Sequence, residues 1–124
     1  MGAASRRKGA TGEREWCAEL KRQGYHDAER NITQTRAGGG DVPVGRTLYE
    51  VKRYARIRVR EFLDQAVASL PKHPGCERPV VAMREDGRTD WMILLRAEDY
   101  FQMLALARGL GHNLPRDGKI EELF

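Results

Sequence analysis

A chain of 124 residues, 40% hydrophobic and 32% charged, is expected to build one core of modest size and no second domain. No uninterrupted apolar run approaches the roughly 18 residues of a membrane span, and Met1 to Gly12 lacks the apolar stretch of a secretory signal, so the expectation is a cytoplasmic protein without a membrane partner. The formal net charge of +4, with a sequence pI near 9.3, favours a polyanionic partner, although acidic small molecules would also be attracted.

Residues 1–10, small and basic, read as a flexible arm; 11–109 read as the folded domain and 110–124 as a C-terminal tail without strong pattern. A first helix is expected over residues 11–23, closed by Gly24. Glu13, Trp16, Cys17 and Leu20 fall on one face of it, whereas Glu15 and Glu19 fall on the opposite one. A carboxylate among apolar neighbours must be paired or bind a metal, unless Glu13 sits in the first turn and complements the helix dipole at the solvent edge.

Residues 28–35 form a weaker strand candidate, followed by Ala37-Gly38-Gly39-Gly40, which permits a sharp turn and close approach to a ligand. No Gly-Lys-Ser/Thr ending follows, so the glycines read as positioning Asp41 rather than cradling a nucleotide. Residues 41–44 and 47–54 are expected to pair as a hairpin around Gly45-Arg46, a two-residue turn of the Gly-X kind, with Pro43 marking the first strand as short or lying on an edge. Pairing Val44 with Thr47 sets Asp41 opposite Glu50, and strand alternation puts Glu50 and Lys52 on one side. Two directly opposed carboxylates are destabilising unless they share a cation, and a divalent metal neutralises them better than a lysine does. A plain Glu50–Lys52 salt bridge is the competing reading.

Arg6, Arg7 and Lys8 make one basic cluster, and Arg53, Arg56, Arg58 and Arg60 make another beside Lys52. With Arg36 they are the candidate contacts to a phosphate backbone; solvated surface charge is the alternative. A second helix carries Val59, Phe62, Leu63, Ala66, Val67 and Leu70 at helical spacing, a core stripe that Pro71 ends. After a loop to Pro79, residues 79–84 and 89–95 read as two strands around Glu85-Asp86-Gly87-Arg88 that complete the sheet. Residues 97–108 read as a third helix ahead of Gly109, with Tyr100, Phe101, Leu104 and Ala107 or Arg108 near its packed side. Cys17 and Cys76 are expected as reduced thiols. His26, His73 and His112 show no ligand spacing and receive no role.

Lys8-Gly9-Ala10-Thr11-Gly12-Glu13-Arg14-Glu15, then Gly39-Gly40-Asp41-Val42, then Tyr49-Glu50-Val51-Lys52, resemble the successive motifs of the PD-(D/E)XK nucleases. The likeness covers about residues 5–70 and is nearest to archaeal-type Holliday-junction resolvases and their phage-borne relatives, with Gly40 standing where the motif has proline. It implies an α/β, restriction-endonuclease-like mixed central sheet flanked by helices, in the order α-β-β-β-α-β-β-α. It further implies that Asp41 and Glu50, with the backbone carbonyl of Val51, hold Mg²⁺, with Mn²⁺ as a substitute. Lys52 would orient the attacking water, and Glu13 would complete the site. Gln65 matches a supporting glutamine of such nucleases, although the helical wheel turns it away from the apolar stripe. The activity implied is DNA endonuclease cleavage in recombination, of four-way junctions first and by a two-fold homodimer; a nickase or a flap or end-processing nuclease is the variant. A DNA-binding module without chemistry, using the same basic surface, is the rival class.

Overall fold

The computed structural model describes residues 3–30 and 39–110, without the side chains of Ser5, Arg6 and Leu110. Helix α1 spans Ala3–Arg22, so the segment expected as a flexible arm is helical from its third residue. Gly9 and Gly12 do not interrupt it: both are buried, and a Cβ on Gly12 would stand 2.8 Å from Cγ of Arg53. The small residues let helix and sheet approach, while alanine, arginine and lysine around them favour helix. At the other end Gly24 adopts φ 103°, and Tyr25 N–H donates to the Leu20 carbonyl at 2.9 Å while Gly24 N–H donates to that of Lys21 at 3.1 Å. This is a Schellman stop. Residues 28–30 carry no strand, and the remainder of the strand expected over 28–35 falls outside the described residues, as does most of the expected tail.

Strands β1 (Gly39–Val44) and β2 (Thr47–Tyr54) pair antiparallel with Val44 opposite Thr47 and Asp41 opposite Glu50, the register expected from the turn. Gly45 at φ 57°, followed by a residue of negative φ, matches the type II′ turn whose twist suits a hairpin. Helix α2 (Val59–Ser69) then crosses over to β3 (Arg78–Glu85), which lies parallel to β2, and β4 (Met92–Leu95) pairs antiparallel with β3. Among the described residues the sheet has the order β1-β2-β3-β4, which leaves β1 with its proline on an edge. The molecule is thus mixed α/β, a mixed sheet flanked by helices.

The two sheet faces carry separate cores. Trp16, Cys17 and Leu20 of α1 pack with Val42, Val51 and Ala82; Phe62 and Ala66 of α2 pack with Val81 and Met83. Pro71 does not stop the chain's winding but tightens it, and Leu70–Lys72 form a 3₁₀ turn in continuation of α2.

Helix α3 spans Ala97–Leu110 and corrects an expectation. Tyr100, Phe101 and Leu104 are exposed, Phe101 by 62%, while Asp99 is buried against Arg96 at 2.7 Å. The apolar stripe overhangs an open groove of about 580 Å³ floored by Trp16, Tyr49 and Val80 instead of closing onto it. Helical spacing identifies an apolar face; it carries no information on whether another element covers it. Arg78, fully buried, ties α3 to the sheet by donating to Thr47 Oγ1 at 2.9 Å and to Gln102 Oε1 at 3.2 Å. Cys17 and Cys76 are free thiols, and no helix among the described residues is long and apolar enough to cross a membrane.

Candidate functional site

Alternation along β2 sends Val51 into the α1 core and turns Glu50 and Lys52 toward α2, where the hairpin register adds Asp41. All three polar side chains are removed from solvent, Asp41 and Glu50 at 0% exposure and Lys52 at 3%. Lys52 Nζ lies 3.2 Å from Glu50 Oε1 and over the ring of Phe62, 5.3 Å from its centroid. Charges this deep persist only with opposite charge and hydrogen bonds around them. The reading of Lys52 as a salt-bridge partner of Glu50 therefore holds, with Asp41 set opposite Glu50 in the hairpin register.

Helix α2 supplies the surrounding polar contacts. Lys52 Nζ donates to Gln65 Oε1, so the glutamine that the helical wheel turned away from the apolar stripe faces the site. One turn later, buried Ser69 donates to the Gln65 carbonyl at 3.0 Å and places its Oγ 3.5 Å from Glu50 Oε2. Beyond the 3₁₀ turn, His73 Nε2 lies 3.1 Å from Asp41 Oδ2.

Glu13 is buried on α1, and Arg30 Nε donates to its Oε2 at 3.1 Å. Because the helix begins at Ala3, Glu13 is not in the first turn, and the dipole explanation for it fails. Burial pushes its pKa above the ordinary value; the hydrogen bond and charge of Arg30 oppose this, and the charge of Glu50 adds to it. Glu13 therefore feels the charge of Glu50, while its direct partner is Arg30.

The basic residues divide into two groups. Lys8 pairs with Asp86, and Arg53 pairs with Glu15 at 2.6 Å and with Asp86 at 3.6 Å, so both are engaged within the molecule. Arg7 is exposed on α1; the Arg6 side chain and all of Arg36 lie outside the described residues. Arg56, Arg58 and Arg60 are exposed, and the first two border a cleft of about 340 Å³ with Tyr54, Phe62 and Gln65. Those last three side chains also surround the Lys52 ammonium, so the buried lysine lies behind the wall of this cleft.

The donor set suits a hard divalent cation: two carboxylates set opposite each other, with the backbone of Val51 beside them. Among the described residues no three His, Cys, Asp or Glu side chains converge as a ready metal site. An ion held by Asp41 and Glu50 would complete its shell with water and ligand oxygens, the habit of Mg²⁺. Ser69, His73 and Arg30 were not singled out from sequence. Ser69 had a usable signal, lying one helical turn after Gln65; His73 and Arg30 had none, since each contact depends on chain geometry outside regular elements. Compared with protein-family models, with curated proteins and with solved structures, the chain matches none.

Proposed function

We propose that the chain is a metal-dependent DNA endonuclease with a restriction-endonuclease-like fold, as its likeness to the PD-(D/E)XK motifs implies. The observation that carries this reading is the convergence of Asp41, Glu50 and Lys52 on one buried face, behind the Tyr54, Phe62 and Gln65 wall of a cleft that Arg56 and Arg58 border. Asp41 and Glu50, with the Val51 carbonyl, would hold Mg²⁺ or Mn²⁺. When bound, the ion supplies Lewis acidity and positive charge toward a phosphodiester. Lys52 holds the attacking water by hydrogen bonding and stabilises the negative charge that develops on the phosphate, its ammonium fixed by Gln65 and by the rings of Tyr54 and Phe62. Glu13, restrained by Arg30, would complete the site from α1, as the resemblance implies. Arg56, Arg58 and Arg60 draw in the DNA backbone. Four-way junctions are the preferred substrate through the resemblance, and symmetrical cutting of two strands calls for a two-fold homodimer.

The test is a cleavage panel of junction, flap, nicked and linear DNA with Mg²⁺ and with EDTA. Cleavage is expected with Mg²⁺ alone, with losses of about 100- to 1,000-fold or more in Lys52→Ala and of all detectable activity in Glu50→Ala. Undiminished nicking by the folded double variant would overturn the assignment. Binding without cleavage in Mg²⁺ and Mn²⁺ would mark a DNA-binding module, and a strict monomer by sedimentation would shift the reading to a nickase or a flap or end-processing nuclease.

A further inference from the structure

Gln65, Ser69 and His73 are spaced four residues apart and meet Lys52, Glu50 and Asp41 in turn, so that one edge of α2 and its 3₁₀ extension attends the whole candidate site. The Ser69 contact is the weakest of the three, because its single proton is directed mainly to the Gln65 carbonyl. The His73 contact is the shorter and better built. Its backbone is pinned on both sides: His73 N–H donates to the Leu70 carbonyl at 3.0 Å, and Cys76 N–H donates to the His73 carbonyl at 3.0 Å. Pro71, inside the turn, stiffens the approach further. The imidazole is only 10% exposed and Asp41 not at all, so little water competes for this hydrogen bond.

We infer that His73 is a positioning residue for Asp41: its Nε2–H holds Oδ2 and thereby fixes how the carboxylate presents itself to a divalent cation. The inference rests on the metal-dependent reading above and deepens it. An ionised carboxylate has no proton to give, so the contact is attractive only if the imidazole nitrogen facing it carries the hydrogen. Carboxylates that ligate metals are themselves held by outer hydrogen bonds, and loss of such a partner lowers metal affinity by about 10- to 100-fold. Here the usual order is reversed: the carboxylate faces the ion and the histidine stands behind it.

The full chain is titrated with Mn²⁺, with the free-ion signal followed by electron paramagnetic resonance, for the wild type, Glu50→Ala, His73→Leu and His73→Gln. Glutamine keeps an N–H donor at nearly the reach of Nε2, and leucine keeps bulk alone. The expected result is a wild-type site that Glu50→Ala removes, about 10- to 100-fold weaker binding in His73→Leu, and recovery of most of that loss in His73→Gln. Should His73→Leu fail to fold, His73→Asn replaces it, being one methylene too short, and is expected to bind more weakly than His73→Gln. Equal affinity of wild type and His73→Leu, or a glutamine variant no better than the leucine or asparagine one, overturns the inference and leaves the metal site standing. Nitrogen hyperfine coupling from an imidazole in the Mn²⁺-loaded wild type also overturns it, since His73 would then be a ligand. A wild type with no Mn²⁺ site sensitive to Glu50→Ala brings down the functional reading and the inference together.

Discussion

Burial raises the pKa of Glu13 above its ordinary 4.5, against the pull of Arg30. The folded chain therefore holds this proton more tightly than the unfolded chain does. Its contribution to stability is full below pH 4.5 and is lost as pH rises through the higher folded-state value, so at neutral pH the ionised carboxylate weakens the fold. In EDTA, the difference in urea midpoint between Glu13→Gln and the wild type is expected to grow in favour of the variant as pH rises from 4 toward 7. The same variant is expected to lose cleavage. Carboxyl groups such as Asp86, lowered chiefly by its hydrogen bond to Lys8, act in the opposite direction and cancel in the comparison. At this scale the sequence revealed much of the site. Asp41, Glu50 and Lys52 follow from strand alternation and a two-residue turn, both local rules, and Glu13 follows from helical phase. The partners of these residues did not follow: Arg30 lies 17 positions from Glu13 and His73 lies 32 from Asp41, and each contact depends on how a loop returns.

Gly12 sets the spacing between α1 and β2. Replacing it with alanine gains up to about 1 kcal/mol of helix propensity but thrusts a methyl group into the stem of Arg53, which cannot swing aside while Glu15 and Asp86 hold its guanidinium. Overpacking of this kind costs about 1–3 kcal/mol, so Gly12→Ala is expected to lower stability by about 1 kcal/mol in chemical denaturation. In an Arg53→Ala background the same substitution is expected to be neutral or stabilising, a coupling that a double-mutant cycle reads directly. The hairpin and α2 were legible because each announces itself within a dozen residues. The start of α1 was not, since a glycine used for close approach and one used for a break look identical in sequence. The open side of α3 was hidden for a related reason: Phe101 keeps helical phase whether or not anything covers it.

Charge across the whole molecule separates residues that sequence grouped together. Lys8 and Arg53 neutralise Asp86 and Glu15 and fasten α1 to the far end of β3, whereas Arg56, Arg58 and Arg60 remain exposed beside the cleft. DNA affinity, measured by fluorescence anisotropy in EDTA between 50 and 200 mM salt, is expected to fall in Arg58→Ala and Arg60→Ala. Each phosphate contact removed should reduce the log–log salt slope by about 0.9. Arg53→Ala is expected to lower the unfolding midpoint and leave that slope unchanged. Equal slopes for all three variants would return the second cluster to ordinary surface charge.

The turn at Gly45 and Arg46 makes the site a matter of counting. Side chains on a strand change face with every residue, so the number of residues separating Asp41 from the turn has a required parity. One residue added between Asp41 and Gly45, with the turn retained, would deliver the aspartate to the side of Trp16 and Val51. Two would restore the face yet set it opposite Lys52. A surface loop ordinarily tolerates changes of length; beside this one, the hairpin would survive an insertion that the pairing of Asp41 with Glu50 would not.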